Sequence, residues 1–200
     1  MYPGVILAGG SARRLGGNGK AFIDIAGVPL IQHTIKSFKS QVDYLAINSR
    51  DSKIFSDFDF PVIKDCLVED GGSGPLAGIS SAIKWAKTLS KPNTHVAIVP
   101  VDTPFLPNDL IKRMSLDLSM SNADIVMVSS NNNIYPVIGL WSLDLDSDLD
   151  KSLHEGIRKI DAFSSLFNVS VVDWSFDRID PFFNINRPDD IVLAEKYINC

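Results

Sequence analysis

The chain has 200 residues, is 45% hydrophobic and carries a formal net charge of −5. That is enough apolar content for one substantial core, and the wrong sign for a protein whose main partner is nucleic acid. No stretch approaches the ~20 apolar residues that cross a bilayer, and the first apolar run leads straight into glycines and arginines, so a cytoplasmic chain with no leader and no membrane partner is expected.

Short apolar runs alternate with amphipathic segments from the start. Val5 to Leu7, Tyr44 to Ile47, Val96 to Val99 and Ile125 to Val128 read as strands buried on both faces. Between them, Leu30 to Phe38 places Ile31, Thr34, Ile35 and Phe38 on one helical face. Pro75 to Leu89 does the same with Leu76, Ile79, Ile83 and Ala86, and opens on a proline suited to a first helical turn. A third helix is expected from near Pro107 through Met114. Asn131-Asn132-Asn133 reads as a turn, Ile134 to Trp141 as a strand with an antiparallel sense open to it, and Val169 to Trp174 as another strand. Leu145 to Leu166 looks helical with a break at Gly156, and a last helix follows Pro188. The alternation predicts one domain over 1–200, a three-layer α/β fold on a mostly parallel sheet.

Residues 7 to 20 carry the strongest chemical signal. Glycines at 9, 10, 16, 17 and 19 and cations at Arg13, Arg14 and Lys20 follow the first strand directly. Glycines let backbone N–H groups close on a ligand, and the cations suit a small anion, so nucleotide phosphates are implied. Two phosphate loops are excluded. Gly19-Lys20 is followed by Ala21, and Arg14 stands where a Walker A loop needs its first glycine. The glycine spacing also fails the dinucleotide fingerprint. Gly9 and Gly10, Asn48, Asp65 and Asp102 each follow an apolar run, which puts them at the carboxyl edge of the sheet, where open α/β folds bind ligands.

Leu7-Ala8-Gly9-Gly10, the Arg13-Arg14 pair, Gly16-Gly17, Lys20, Gly74-Pro75-Leu76-Ala77-Gly78, Asp102-Thr103-Pro104 and Asn184-Ile185-Asn186 occur in order along nearly the whole chain. In this the sequence resembles the small nucleotidyltransferases, most closely the molybdenum cofactor guanylyltransferases. The resemblance implies a Rossmann-like nucleotidyltransferase fold and magnesium-dependent transfer of GMP from GTP to molybdenum-molybdopterin, with transient contacts to molybdoenzymes or cofactor-biosynthesis proteins. It implies catalytic roles for Lys20, Arg14 and Asp102, with Asp102 as the metal ligand. GTP is expected at Leu7, Ala8, Gly9, Gly10, Lys20, Asn48, Asp65, Gly74, Gly78 and Asp102, and the acceptor at Asn184 and Asn186. A related CTP- or sugar-phosphate transferase and a nucleotide-binding protein without turnover fit the same loop.

Several readings stay open on the residues alone. Asp102 serves either a metal or a helix start after Thr103-Pro104; Asn186, two residues before Pro188, either the site or a helix cap. Gly74 and Gly78 are expected to flank a helix start. Two positions depart from the family: Gly19 stands where an aspartate is common before the lysine, and Tyr135-Pro136 where His-Pro is common. His33, His95 and His154 have no nucleophile or ligand spacing and read as structural or exposed. Cys66 and Cys200 match no metal or redox spacing; reduced thiols are the plainer reading, with a disulfide left open.

Overall fold

A computed structural model of the chain describes residues 1–9, 19–64 and 74–198. In chain order its elements are β1 (Gly4–Leu7), β2 (Asp24–Ile25), β3 (Val28–Pro29), α1 (Leu30–Phe38), β4 (Leu45–Asn48), β5 (Val62–Ile63), α2 (Gly74–Lys87), β6 (His95–Pro100) and α3 (Leu110–Ser121). There follow β7 (Ile125–Ser130), β8 (Asn133–Ser142), α4 (Asp146–His154), α5 (Ile160–Ser164), β9 (Val169–Trp174) and α6 (Pro188–Ile198). The main sheet has the order β5-β4-β1-β6-β8-β7-β9. Only β8 runs against the others, pairing antiparallel with both β6 and β7.

Alternation along each strand explains why the runs are apolar throughout. Ile6, Ile47, Ala97, Val99, Val126 and Val128 face one core, which α1 and α3 cover with Ile31, Phe38, Leu110 and Met114. Val5, Ala46, Val96, Ile98, Ile125 and Met127 face the other, covered by α2, α4 and α5 through Ile79, Ile83, Leu149 and Phe163. The central strands β1, β4, β6 and β7 are therefore buried on both faces, as a sheet with helices on two sides requires.

The expected elements recur with shifted ends. Helix α3 begins at Leu110 rather than near Pro107, because the Pro107 carbonyl accepts from Leu110 N in a turn before the helix. The 145–166 segment splits into α4 and α5, with Gly156 at φ +83 between them. Asn131 and Asn132, at φ 48° and 62°, close the β7–β8 hairpin; asparagine tolerates that left-handed backbone. Within the hairpin Met127 pairs with Gly139 but Val128 with Tyr135, so 136–138 bulge out of the β7 ladder. Pro136, with no N–H to offer, sits in that bulge.

The small β2–β3 hairpin has no counterpart in the sequence reading, since two-residue strands carry no periodic signal. Its Ala26-Gly27 turn has φ 53° and 79°, and His33 Nε2 lies 3.0 Å from the Ile25 carbonyl. Helix α6 docks on it: Ile25, Leu30, Ile185 and Ala194 form a third apolar cluster. Among the described residues no helix is long and apolar enough to cross a membrane.

His95 opens β6 with a 9% exposed side chain, and its Nε2 has no partner among the described residues. Burial pushes the imidazole below its usual 6.5, against weaker opposing pulls from the Ala123 backbone, Asp144 and Asp124. The unfolded chain therefore binds this proton first as pH falls. The contribution to stability is complete above 6.5 and is lost as pH drops from there towards the lower folded value. Melting temperatures taken from about pH 7.5 down to about pH 5 should decline over that window, and His95→Gln should flatten the decline.

Candidate active site

Register brings the strand ends level. Leu7 pairs with Asn48 on one side and Pro100 on the other, and Asn48 pairs with Ile63. Main-chain bonds carry the ladder one residue further, from Ala8 N to the Asn48 carbonyl (2.8 Å) and from Val101 N to the Leu7 carbonyl (3.0 Å). Past this edge lies a cavity of about 350 Å³. Its walls are Leu7 and Gly9 after β1, Asn48 and Arg50 after β4, and Pro100 to Asp102 after β6. Lys20, Val137 and the start of α2 at Gly74, Pro75 and Gly78 complete it.

Lys20 is fixed from below. It opens a 3-10 turn, Lys20–Phe22, in which Ala21 is buried. Phe22 packs its ring on Phe55 and Phe58, with centroids 5.2 and 6.4 Å away. Gly19 enters this turn at φ 89°, ψ 139°, a backbone that side-chain-bearing residues rarely adopt. The glycine at this position thus has a conformational reason of its own.

The Lys20 ammonium donates to Asp102 Oδ2 and to Asn186 Oδ1, both at 2.5 Å. The two charged side chains are only 13% and 17% exposed, which strengthens their attraction relative to a surface pair. Asp102 is held through its backbone. Its carbonyl accepts from Ile185 N at 3.0 Å. Buried Thr103 bonds back to the Pro100 carbonyl at 3.0 Å, and Thr34 bonds to the Val101 carbonyl at 2.9 Å. Asp102 caps no helix, because the next one starts at Leu110 behind Asp109. The alternative for Asn186 also falls. Asp190 Oδ2 accepts from the N–H groups of Asn186 and Arg187, at 2.8 Å each, so Asp190 ties the start of α6 and the Asn186 side chain is left for Lys20.

Asp102 Oδ1 and Asn184 Oδ1 are buried acceptors with no hydrogen-bond partner among the described residues. Asp102 Oδ1 lies on the carboxylate that holds Lys20, and Asn184 precedes the residue bonded to the Asp102 carbonyl; both oxygens are of the kind a hard divalent cation takes, and Mg²⁺ takes only one or two carboxylates beside phosphates and water.

Asn48 is 3% exposed and donates to the Ile63 carbonyl at 3.3 Å. Gly78 lies inside the first turns of α2, just past the helix start that it and Gly74 were expected to flank. A Cβ there would stand 2.9 Å from Asn48 Oδ1 and 3.1 Å from Leu7 Cδ2. The glycine therefore lets the helix close over the strand ends. Gly74 is at the helix start with φ +65. Ala8 turns its methyl into the core at 6% exposure and does not line the cavity. Gly10, Arg14 and Asp65, like Cys66 and Cys200, lie outside the described residues.

Two features were missed or misplaced from sequence. Arg50 lines the cavity two residues beyond Asn48, and a cation so close to a strand end was the available signal. Tyr135, one of the two departures from the family pattern, donates its hydroxyl to Asp180 Oδ2 at 2.6 Å, and Val137 is the β8 residue among those lining the cavity.

A parallel sheet whose adjacent strand ends present a cation, a carboxylate and a glycine-spaced helix start places the protein in the nucleotide-binding α/β class. A sequence model described as the MobA-like NTP transferase domain matches residues 4–168. The molybdenum cofactor guanylyltransferase of Rhodopseudomonas palustris (strain BisB5) is 38% identical over 97% of this chain and 92% of its own. That of Shewanella piezotolerans is 37% identical over 92% and 87%. Among solved structures, molybdopterin-guanine dinucleotide biosynthesis protein A of Archaeoglobus fulgidus superposes with TM-score 0.82 at 23% identity, covering 99% of both chains. The 4-diphosphocytidyl-2C-methyl-D-erythritol synthase of Anaerococcus prevotii shares the fold at TM-score 0.72 and 14% identity, covering 100% and 99%. The chain belongs to the MobA-like NTP transferase family.

The close approach at Gly78 can be tested directly. Gly78→Ala should lower stability by about 1–3 kcal/mol and weaken nucleotide binding, because the new methyl displaces Asn48 or Leu7. Nothing described lies within 4 Å of a Cβ on Gly9. Gly9→Ala should therefore melt like the wild type, and calorimetry on both variants checks the contrast.

Proposed function

We propose that this protein is a magnesium-dependent guanylyltransferase that moves GMP from GTP to the phosphate of molybdenum-molybdopterin, releasing pyrophosphate. The observation that carries the reading is the Lys20–Asp102 pair at the level strand ends, where Asp102 Oδ1 has no hydrogen-bond partner among the described residues. Support for GTP and for this acceptor comes from the relatives' names, from Gly9 in the loop and from the ordered motifs.

The reaction places a phosphate oxygen of the acceptor in line with the α-phosphorus. A P–O bond forms there while the bond to the β-phosphate oxygen breaks, and its electrons leave with pyrophosphate. Both substrates are anions, so repulsion and alignment make up much of the barrier. Lys20 stabilises negative charge as it builds on the leaving pyrophosphate. Asp102, with the Asn184 amide oxygen as a second donor, would hold magnesium, which would supply neutralisation of phosphate charge there. Asn186 steadies Lys20, and Asn184 and Asn186 would meet the acceptor. Arg14 would add a second cation, and Gly9 and Gly10 would offer backbone N–H groups to the triphosphate. Asn48 and Asp65 would meet the nucleoside beneath Gly74 and Gly78, with Arg50 near it. One nucleotidyltransferase domain carries all of these steps, and a cytoplasmic location with passing contacts to cofactor-handling proteins follows from such a product.

Incubation with molybdenum-loaded molybdopterin, magnesium and either GTP or CTP, read by mass spectrometry, tests the assignment. A guanine dinucleotide from GTP alone is expected. A cytosine product would move the protein to the CTP-using relatives, and GTP binding without product would make it a nucleotide sensor. Asp102→Ala and Lys20→Ala should each lower turnover about 100-fold, equivalent to ~3 kcal/mol of transition-state stabilisation. Wild-type turnover by Asp102→Ala at matched magnesium would defeat the mechanism.

A further inference from the structure

We propose that Asp180 is a positioning residue for this transfer: it ties the 180–186 loop to the β7–β8 hairpin and so sets Asn184 and Asn186 against Asp102 and Lys20. The inference rests on the reading above and extends it to a residue that does not line the cavity. The Asp180 carboxylate gathers three donors from three places. Ser130 Oγ, at the end of β7, lies 2.7 Å from both carboxylate oxygens. The Tyr135 hydroxyl on β8 donates to Oδ2 at 2.6 Å, and Phe182 N donates to Oδ1 at 2.8 Å. Every partner is a donor, which suits an acceptor-only carboxylate better than an amide. Burial first, and the bond to Asp180 second, raise the Tyr135 phenol above its usual 10, so it stays a neutral donor at working pH.

Phe182, fully buried, continues the anchor. Its ring sits 5.3 Å from Tyr135 and 5.3 Å edge-on from Trp174, whose other contact is the Arg113 guanidinium at 4.0 Å. Three residues on, buried Ile185 donates to the Asp102 carbonyl. The loop is thus pinned to the hairpin at one end and to the catalytic backbone at the other. Asn184 lies inside this span and Asn186 just past it, the latter on Lys20. With the first pin removed, the Phe182 packing, the Ile185 bond, the Lys20 bond to Asn186 and the α6 start would be left to hold the pair of asparagines.

The variants Asp180→Ala, Asp180→Asn and Tyr135→Phe separate positioning from general structure. In Asp180→Ala, kcat/KM for the molybdopterin acceptor should fall about 30-fold while GTP affinity stays within about twofold. Tyr135→Phe should lose about fivefold and Asp180→Asn an intermediate amount. Hydrogen exchange supplies a readout independent of activity: Ile185 and Asn186 amides should exchange faster in Asp180→Ala, while those of β1, β4 and β6 keep wild-type protection. Unchanged exchange at Ile185, or GTP affinity lost in step with turnover, would overturn the proposal. If Asp180→Ala fails to fold, wild-type kinetics and exchange in Tyr135→Phe and Asp180→Asn would overturn it equally. A wild-type protein that forms no guanine dinucleotide would instead refute the transferase reading, with the exchange result still deciding the anchor.

Discussion

The arrangement depends on a lysine and an aspartate, 82 positions apart in sequence, meeting in a half-desolvated cleft. Withdrawing two charges from water is costly, and their mutual attraction alone does not make such a pair a stabilising device. What the fold invests in the pair is therefore informative about use rather than stability. Phe22 anchors the turn under Lys20, two threonines fix the carbonyls before Asp102, and Asn186 accepts a second bond from the ammonium. One oxygen of Asp102 remains unpartnered among the described residues. A charge pair built this way can exchange partners with an incoming polyphosphate and a cation at little reorganisation cost, which is the condition for electrostatic catalysis.

Sheet order assigns the two sides of the cleft. Asn48 ends β4 and Arg50 lies beyond it, on one side of β1, whereas Asp102 lies two residues past β6 and Val137 on β8, on the other. The transfer chemistry falls between them, where both substrates can reach the same phosphorus. The antiparallel β8 matters here. Its 136–138 bulge presents Val137 to the cavity, and the residue before the bulge, Tyr135, is committed to the loop that brings the asparagines across. A regular parallel strand at that position would alternate faces without interruption and would not provide both contacts from neighbouring residues.

The two departures from family pattern have local physical accounts. Gly19 occupies a backbone region that disfavours a side chain, so its turn and its residue type agree. Tyr135 needs no positive charge where it stands, because its partner is the Asp180 carboxylate and a neutral hydroxyl donor satisfies it. Neither change touches the Lys20–Asp102 pair.

The alternating apolar runs determined the three-layer sheet, since strands buried on both faces and helices with one apolar face have few ways to cover each other. Strand-end position likewise made Gly9, Asn48 and Asp102 legible as a cluster, because parallel neighbours bring their carboxyl ends to one edge. The two-residue strands β2 and β3 escaped notice for lack of any period, and Arg50 because an arginine after a strand end looks like a solvated side chain. The roles of Asp102 and Asn186 stayed ambiguous for a different reason: each had a local use, at a helix start or cap, that sequence spacing permits, and Tyr135 showed only a departure from pattern with no partner in view. Only tertiary structure decided them, by placing α3 eight residues after Asp102, giving the α6 start to Asp190, and turning Tyr135 onto Asp180. Sequence fixes which groups a residue can offer; which partner takes them depends on neighbours dozens of positions away, and only packing brings those together.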